Sequence, residues 1–194
     1  SLEFLSHAQI ERLLVQPIVS TIAGLRDKTI MELLFSTGLR VSELAKLNRD
    51  HINTHTQEIG VIGKGRRPRV VFLSERALMW VTRYTSSRDD HFKPLFIRYG
   101  GKKDTITSDG EDFRLTTRSI QRIVERYAKK AQLPMKITPH GIRHTFATDL
   151  LTAGADLRSI QEMLGHKNVA TTQIYTHVTN PQLKKIHQKF HSKS

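Results

Sequence analysis

Six side chains in this sequence are of the types that work on a phosphate ester. They are Arg40 (in Thr37-Gly38-Leu39-Arg40-Val41-Ser42-Glu43-Leu44), Lys64 (between Gly63 and Gly65), His140 and Arg143 (in Pro139-His140-Gly141-Ile142-Arg143-His144-Thr145-Phe146), His166 (after Leu164-Gly165) and Tyr175 (in Gln173-Ile174-Tyr175-Thr176). Cleaving a phosphodiester requires neutralising its non-bridging oxygens, placing a nucleophile in line and protonating the leaving oxygen. Arginine suits the first task, because its planar fork grips two oxygens and its charge is permanent. A tyrosine oxygen can attack, provided that cations nearby help the phenol lose its proton. A lysine at a glycine-flanked tip can reach a leaving oxygen with an ammonium proton.

The elements around these residues support that chemistry. Thr138-Pro139 reads as a cap followed by proline at the first helical position, opening a helix that runs to about Ala153 with Gly154 beyond it. His140 and Arg143 are three apart, so they share a face of that helix. They lie at its N-terminal end, where free N–H groups favour an anion. Arg40 follows Gly38, which is placed to end a helix marked by Ile30, Leu33 and Leu34. A short helix is expected over 41–47. Lys64 sits in the basic turn between two Val- and Ile-rich strands, 58–63 and 69–73, where Arg66, Arg67 and Arg69 add positive charge.

The rest of the chain reads as further helices. Ser6 with Gln9 forms a capping box before the stripe Ile10, Leu13 and Leu14. Ser74 caps a helix carrying Leu78, Val81 and Tyr84. Thr117 opens another with Ile120, Ile123, Val124 and Tyr127, which stops before Pro134. Short helices are expected over 156–164, 169–177 and 181–191, with Asn168 and Asn180 as caps of the last two. Residues 88–113 show no sustained period and read as a loop with one extended piece near 95–97. Tyr84 and Tyr127 fall on apolar stripes and read as core; Tyr99 has no specific reading.

Composition narrows the partner. The 194 residues hold 31 Lys and Arg against 18 Asp and Glu, a formal charge of +13. That surplus points to a polyanion. No apolar run approaches the roughly 20 residues of a membrane span, and Ser1-Leu2-Glu3-Phe4 lacks the layout of a signal peptide. No cysteine is present, which suits a reducing cytoplasm. His140 and His144 are spaced four apart as in a zinc-protease helix, but Gly141 stands where that motif needs glutamate, so no metal is expected. His144 reads as a packing residue.

In order and local wording, the six residues resemble the catalytic domain of the tyrosine recombinases, the phage integrase family. Residues 138–177 are most similar to the Xer branch, notably Leu150 to His166 and Thr171 to Val178. The resemblance covers essentially the whole chain and implies a mainly α fold with a small antiparallel β-sheet (α+β). It implies Tyr175 as the nucleophile that forms a 3′-phosphotyrosyl bond, and Arg40 and Arg143 as holders of the non-bridging oxygens. His140 and His166 would add hydrogen bonds and move protons, and Lys64 would be the general acid. The resemblance implies no cofactor. Glu43 matches the family's acidic position, holding other groups rather than touching substrate. Lys46, Arg66, Arg67, Arg118 and Arg122 are the candidate DNA contacts. The implied partners are double-stranded DNA and, on it, a homo- or hetero-tetramer of recombinases exchanging strands through a Holliday junction, with a monomer expected for the isolated piece and no membrane. The implied roles are chromosome dimer resolution or mobile-element integration. A non-catalytic DNA-binding module of the same fold and a relaxing enzyme of the type IB topoisomerase kind are the alternatives. Residues 1–194 would be the catalytic domain, without the helical domain that usually precedes it. Residues 98–113 look longer than the family's usual connection, within an insertion over 88–113. The helix in 181–194 has an apolar face (Leu183, Ile186, Phe190) that either docks on a neighbouring protomer or folds back on its own domain.

Overall fold

Local capping sets the first helix. The Ser6 hydroxyl accepts from the Gln9 amide at 3.2 Å and the Gln9 side chain accepts from the Ser6 amide at 2.9 Å, so α1 (His7–Leu14) begins where the capping box places it. The computed structural model describes residues 5–101, 109–134, 136–165 and 180–191. Among these residues seven more helices follow: α2 (Ile22–Thr37), α3 (Val41–Ala45), α4 (Glu75–Ser87), α5 (Thr117–Lys130), α6 (Pro139–Thr152), α7 (Leu157–Leu164) and α8 (Asn180–His191). Ser74, Thr116, Thr138 and Asp156 cap α4, α5, α6 and α7 with their side-chain oxygens. Asn180, expected as a cap, is instead the first residue of α8. The expected helix over 169–177 and its cap Asn168 lie outside the described residues.

Three short strands, β1 (Ile52–Asn53), β2 (Glu58–Ile62) and β3 (Pro68–Phe72), form an antiparallel sheet in the order β1-β2-β3. The β2–β3 register pairs Ile59 with Val71 and Val61 with Arg69. The sequence signals the hairpin but not β1, which is too short to show a period. The fold is thus mainly helical with one small antiparallel sheet, as expected.

Helix α2 runs through the centre: every residue from Gly24 to Thr37 is buried. The larger core gathers α1 to α5 and the sheet around it. A second core joins Phe72, Phe146, Leu150, Ile160, Met163, Leu164 and Leu183, with Ile186 and Phe190 against it. The apolar face of α8 therefore lies on its own domain, and the His187 ring Nε2 is 2.7 Å from the Ser36 carbonyl. Each fully buried side chain of this kind contributes about 2 kcal/mol, enough to hold a twelve-residue helix in place.

The 88–113 region is better anchored than a loop reading suggests. Leu95, Phe96 and Ile97 are all buried. The Arg98 amide donates to the Phe113 carbonyl and the Leu115 amide to the Phe96 carbonyl, so an extended piece runs beside 113–115. Arg88 donates to the carbonyls of Pro94 and Leu95, and Arg114 to those of Ala45 and Leu47. Arginines satisfy the backbone here where a sheet ladder would otherwise do so. Residues 102–108 lie outside the described part.

Candidate active site

Helix α2 ends on Gly38, whose φ of +70° is the left-handed conformation that closes a helix. A Cβ there would come within 2.6 Å of the Phe146 ring and 2.7 Å of a Leu164 methyl, so only glycine lets α2 terminate against α6 and α7. That junction makes two acceptors for one guanidinium. Arg143 donates from Nε to the Gly38 carbonyl at 2.9 Å and from Nη2 to the Leu164 carbonyl at 2.6 Å. Two residues beyond Gly38, Arg40 forms the N-cap of α3. Its amide donates to Glu43 Oε1 at 2.8 Å. Arg40 thus stands two residues past a carbonyl that holds Arg143, and its charge bears on the Arg143 guanidinium.

The balance of charge at this junction is uneven. Burial first, and then the charges of Arg40 and Arg69, pull the Arg143 guanidinium down to about 10 from its usual value, with Glu43 opposing. Two guanidiniums thus bear on a third, and among the described residues Glu43 is the one carboxylate that opposes them. Burial alone would raise the Glu43 carboxyl. The Arg69 hydrogen bonds, the Arg40 amide and the two guanidinium charges outweigh it and hold the group below the usual carboxylate range.

Arg69 is the participant whose role the sequence does not announce. It reads as one more charge around the hairpin tip, yet both its Nη atoms donate to the Glu43 carboxylate, Nη2 to Oε1 at 2.9 Å and Nη1 to Oε2. Strand parity is the signal that could have found it: Arg69 and Val71 share a face, and Val71 is buried. Arg66 and Arg67, in the turn itself, are exposed. The turn over 64–66 is a single 3₁₀ turn with Gly65 at φ +75°, and the Gly63 amide closes it on the Arg67 carbonyl.

His140 is exposed in the first turn of α6, where the Thr138 hydroxyl takes the Gly141 amide at 3.0 Å. Lys64 contributes its backbone to the turn described above. His166 and Tyr175 lie outside the described residues; Gly165, just before His166, ends α7 at φ +69°. Lys46, Arg118 and Arg122 are exposed, as are Arg66 and Arg67. Arg118 lines a hollow with Val41, Lys136 and Pro139, which puts it beside the N-termini of α3 and α6. Lys136 is a cation on this side that the sequence reading passed over. Among the described residues no group of three or more His, Asp or Glu could hold a metal, and no helix is long and apolar enough to cross a membrane.

Known proteins are similar to this chain in sequence and in fold. Residues 3–181 match the phage integrase family. The chain is 40% identical over 185 residues to the tyrosine recombinase XerD of Listeria monocytogenes, covering 95% of this chain and 61% of that protein. It thus spans about three-fifths of the length of such relatives. The crystal structure of XerA recombinase superposes with a TM-score of 0.71 at 33% identity, over 95% of this chain and 63% of that one. XerH site-specific recombinase in a post-cleavage complex with its palindromic difH substrate gives 0.69 at 25% identity, over 95% and 52%. With most of its length matched and its fold shared, this chain belongs to the phage integrase family.

Proposed function

We propose that this chain is the catalytic part of an Xer-like site-specific recombinase, which cleaves and rejoins double-stranded DNA through Tyr175. The observation that carries this reading is the surplus of positive charge at the Gly38 junction: Arg40 and Arg143 lie beside the Arg69–Glu43 ion pair and have no carboxylate of their own among the described residues. A crowded set of guanidiniums is stabilised by an added anion, and a scissile phosphate is one. The adjacent N-terminus of α6 adds further positive potential. Relatives that carry the XerD name, and a XerH neighbour captured on its DNA substrate after cleavage, support the same assignment.

In this mechanism the Tyr175 oxygen bonds to phosphorus while the bond from phosphorus to the 5′ oxygen breaks. The electron pair leaves on that oxygen, which takes a proton from the Lys64 ammonium. Arg40 and Arg143 hold the non-bridging oxygens, and His140 and His166 hydrogen-bond the phosphate and carry away the phenolic proton. The 3′-phosphotyrosyl bond conserves the phosphodiester energy, so a 5′ hydroxyl from a second duplex can reverse the reaction without nucleotide or metal. A tetramer on two DNA sites, passing through a Holliday junction, is the assembly this chemistry requires for exchange.

The test is a nicked suicide substrate. Incubation with the 194-residue chain at low salt should yield a covalent protein–DNA adduct, and Tyr175→Phe should abolish it while leaving DNA binding intact. Equal adduct yield from Tyr175→Phe would remove Tyr175 from the mechanism. Binding without any adduct would favour a non-catalytic module of this fold.

A further inference from the structure

One side chain lies against the glycines that precede two of the proposed catalytic groups and holds the carboxylate that takes the amide of a third, without being one of them. Arg69 extends from β3 with only 12% of its side chain exposed. Its two Nη atoms are engaged by the Glu43 carboxylate, whose Oε1 also takes the Arg40 amide. A Cβ on Gly63, the residue before Lys64, would lie 2.9 Å from Arg69 Nη1 and 3.5 Å from Glu43 Oε2. The chain entering the Lys64 turn therefore rests on the guanidinium–carboxylate pair. A Cβ on Gly165, the residue before His166, would lie 2.8 Å from Arg69 Cδ and 3.1 Å from its Nε. The backbone that leads to His166 rests on the stem of the same side chain.

We propose that Arg69 is a positioning residue: clamped bidentately on Glu43, it fixes the base of the Lys64 hairpin against the Arg40 end of α3, and so sets where the lysine delivers its proton. This deepens the recombinase reading and rests on it. The fork geometry is essential, because a planar guanidinium holds both carboxylate oxygens while packing its flat face and stem under two glycines. A lysine would keep the charge and lose the clamp. Glu43 takes one N–H from each Nη and the Nε donor is buried without a partner among the described residues, so Arg69 is held in place by the carboxylate and its proposed action runs through Lys64.

The leaving group separates these roles. In ordinary DNA the departing 5′ oxygen needs the Lys64 proton as the bond to phosphorus breaks. In a substrate with sulfur at that bridging position the electron pair leaves on a thiolate, which needs no proton. Arg69→Gln should slow adduct formation on the ordinary nicked substrate by about 100-fold, the scale expected when a reacting group is displaced by an ångström. It should cleave the bridging-sulfur substrate at the rate of the unsubstituted chain. Arg69→Lys should show the same substrate-selective loss, and it decides the matter if the glutamine variant does not fold. Equal losses on both substrates would overturn the proposal in favour of a general structural role or a direct phosphate contact; so would no loss on either. If the unsubstituted chain forms no adduct with either substrate, the recombinase reading itself fails, which is a separate outcome.

Discussion

Helix α2 and the Gly38 junction both bury charge, and they settle it in opposite ways. Along α2, Arg26, Asp27, Lys28 and Glu32 are all buried. Asp27 Oδ1 accepts from Arg26 Nε and Nη2 at 3.0 and 2.9 Å, and Oδ2 takes Tyr127 Oη at 2.7 Å and Arg126 Nη2 at 3.0 Å. Lys28 donates to the Leu14 carbonyl at 2.6 Å, meets Glu32 at 3.1 Å and lies over the Trp80 ring. Arg76 reaches Glu32 and Glu11. Every charge there has an opposite within reach, and the network ties α1, α4 and α5 to the central helix. At the junction Arg40 and Arg143 lie beside the Arg69–Glu43 ion pair with no carboxylate of their own among the described residues. Removing charge from water costs several kcal/mol per ion unless it is paired, so the first pattern is what a fold needs to hold together. The second leaves positive charge unmatched, which is the pattern that the proposed phosphate site requires.

This contrast predicts opposite phenotypes. Arg143→Gln should lower adduct formation by about 10² to 10³-fold, the loss typical when one donor to a transition-state oxyanion is removed. Its melting temperature should move less than that of the Asp27 variant below. The variant loses two hydrogen bonds to carbonyls but also relieves a cation that burial, Arg40 and Arg69 already disfavour. A large fall in melting temperature with unchanged cleavage per folded molecule would show that the junction is structural after all.

Asp27→Asn should do the reverse. The amide cannot accept from all four donors, and the Arg26 guanidinium, which also donates to the Ile97 carbonyl at 2.9 Å, would lose its counter-charge while buried. Breaking a buried pair from one side costs about 3 kcal/mol or more, readable by urea unfolding. Cleavage per folded molecule should hold, because no atom of this network reaches Arg40 or Arg143 through a hydrogen bond among the described residues. Selective loss of cleavage at unchanged stability would mean that the two regions are coupled.

How much of this was legible in the sequence follows from how local each signal is. The capping box at Ser6, the Thr138-Pro139 opening and the Gly38 stop each involve residues within four positions, and the structure has them as read. The proximity of Arg40 and Arg143 was legible through family wording rather than physics, since nothing in spacing says that Arg143 reaches the carbonyl of Gly38, two residues before Arg40. Helix α2 was seen only in part, through Ile30, Leu33 and Leu34. A helix buried on all sides has no polar face to give it a period, and its charged residues, which resemble a solvated surface, are internal. Arg69 was misjudged for the same reason: a basic residue near basic residues looks exposed until its strand partner and face are known. The 95–97 segment was found as extended, but its anchoring by Arg88 and Arg114 was not, because side chains that satisfy distant carbonyls leave no pattern in a window.

The smallest predicted effect tests the outer edge of the charge surplus. Arg118 is exposed near the start of α5 and shares a hollow with Lys136 and the first residues of α3 and α6. If DNA lies across the junction, this side chain meets a phosphate flanking the scissile one. It neutralises charge there without taking part in bond breaking. Each such contact releases counterions, so Arg118→Ala should reduce the slope of log binding constant against log salt by about 1 and weaken binding alike for any sequence. The single-turnover cleavage rate at saturating DNA should not change, because that rate depends on groups at the reacting phosphate and not on the grip beside it. An unaltered salt slope would place the duplex on another face of α5 and confine the useful positive charge to the hairpin and the α2–α3–α6 junction. A fall in the saturated rate would instead bring Arg118 into the same functional set as Arg143.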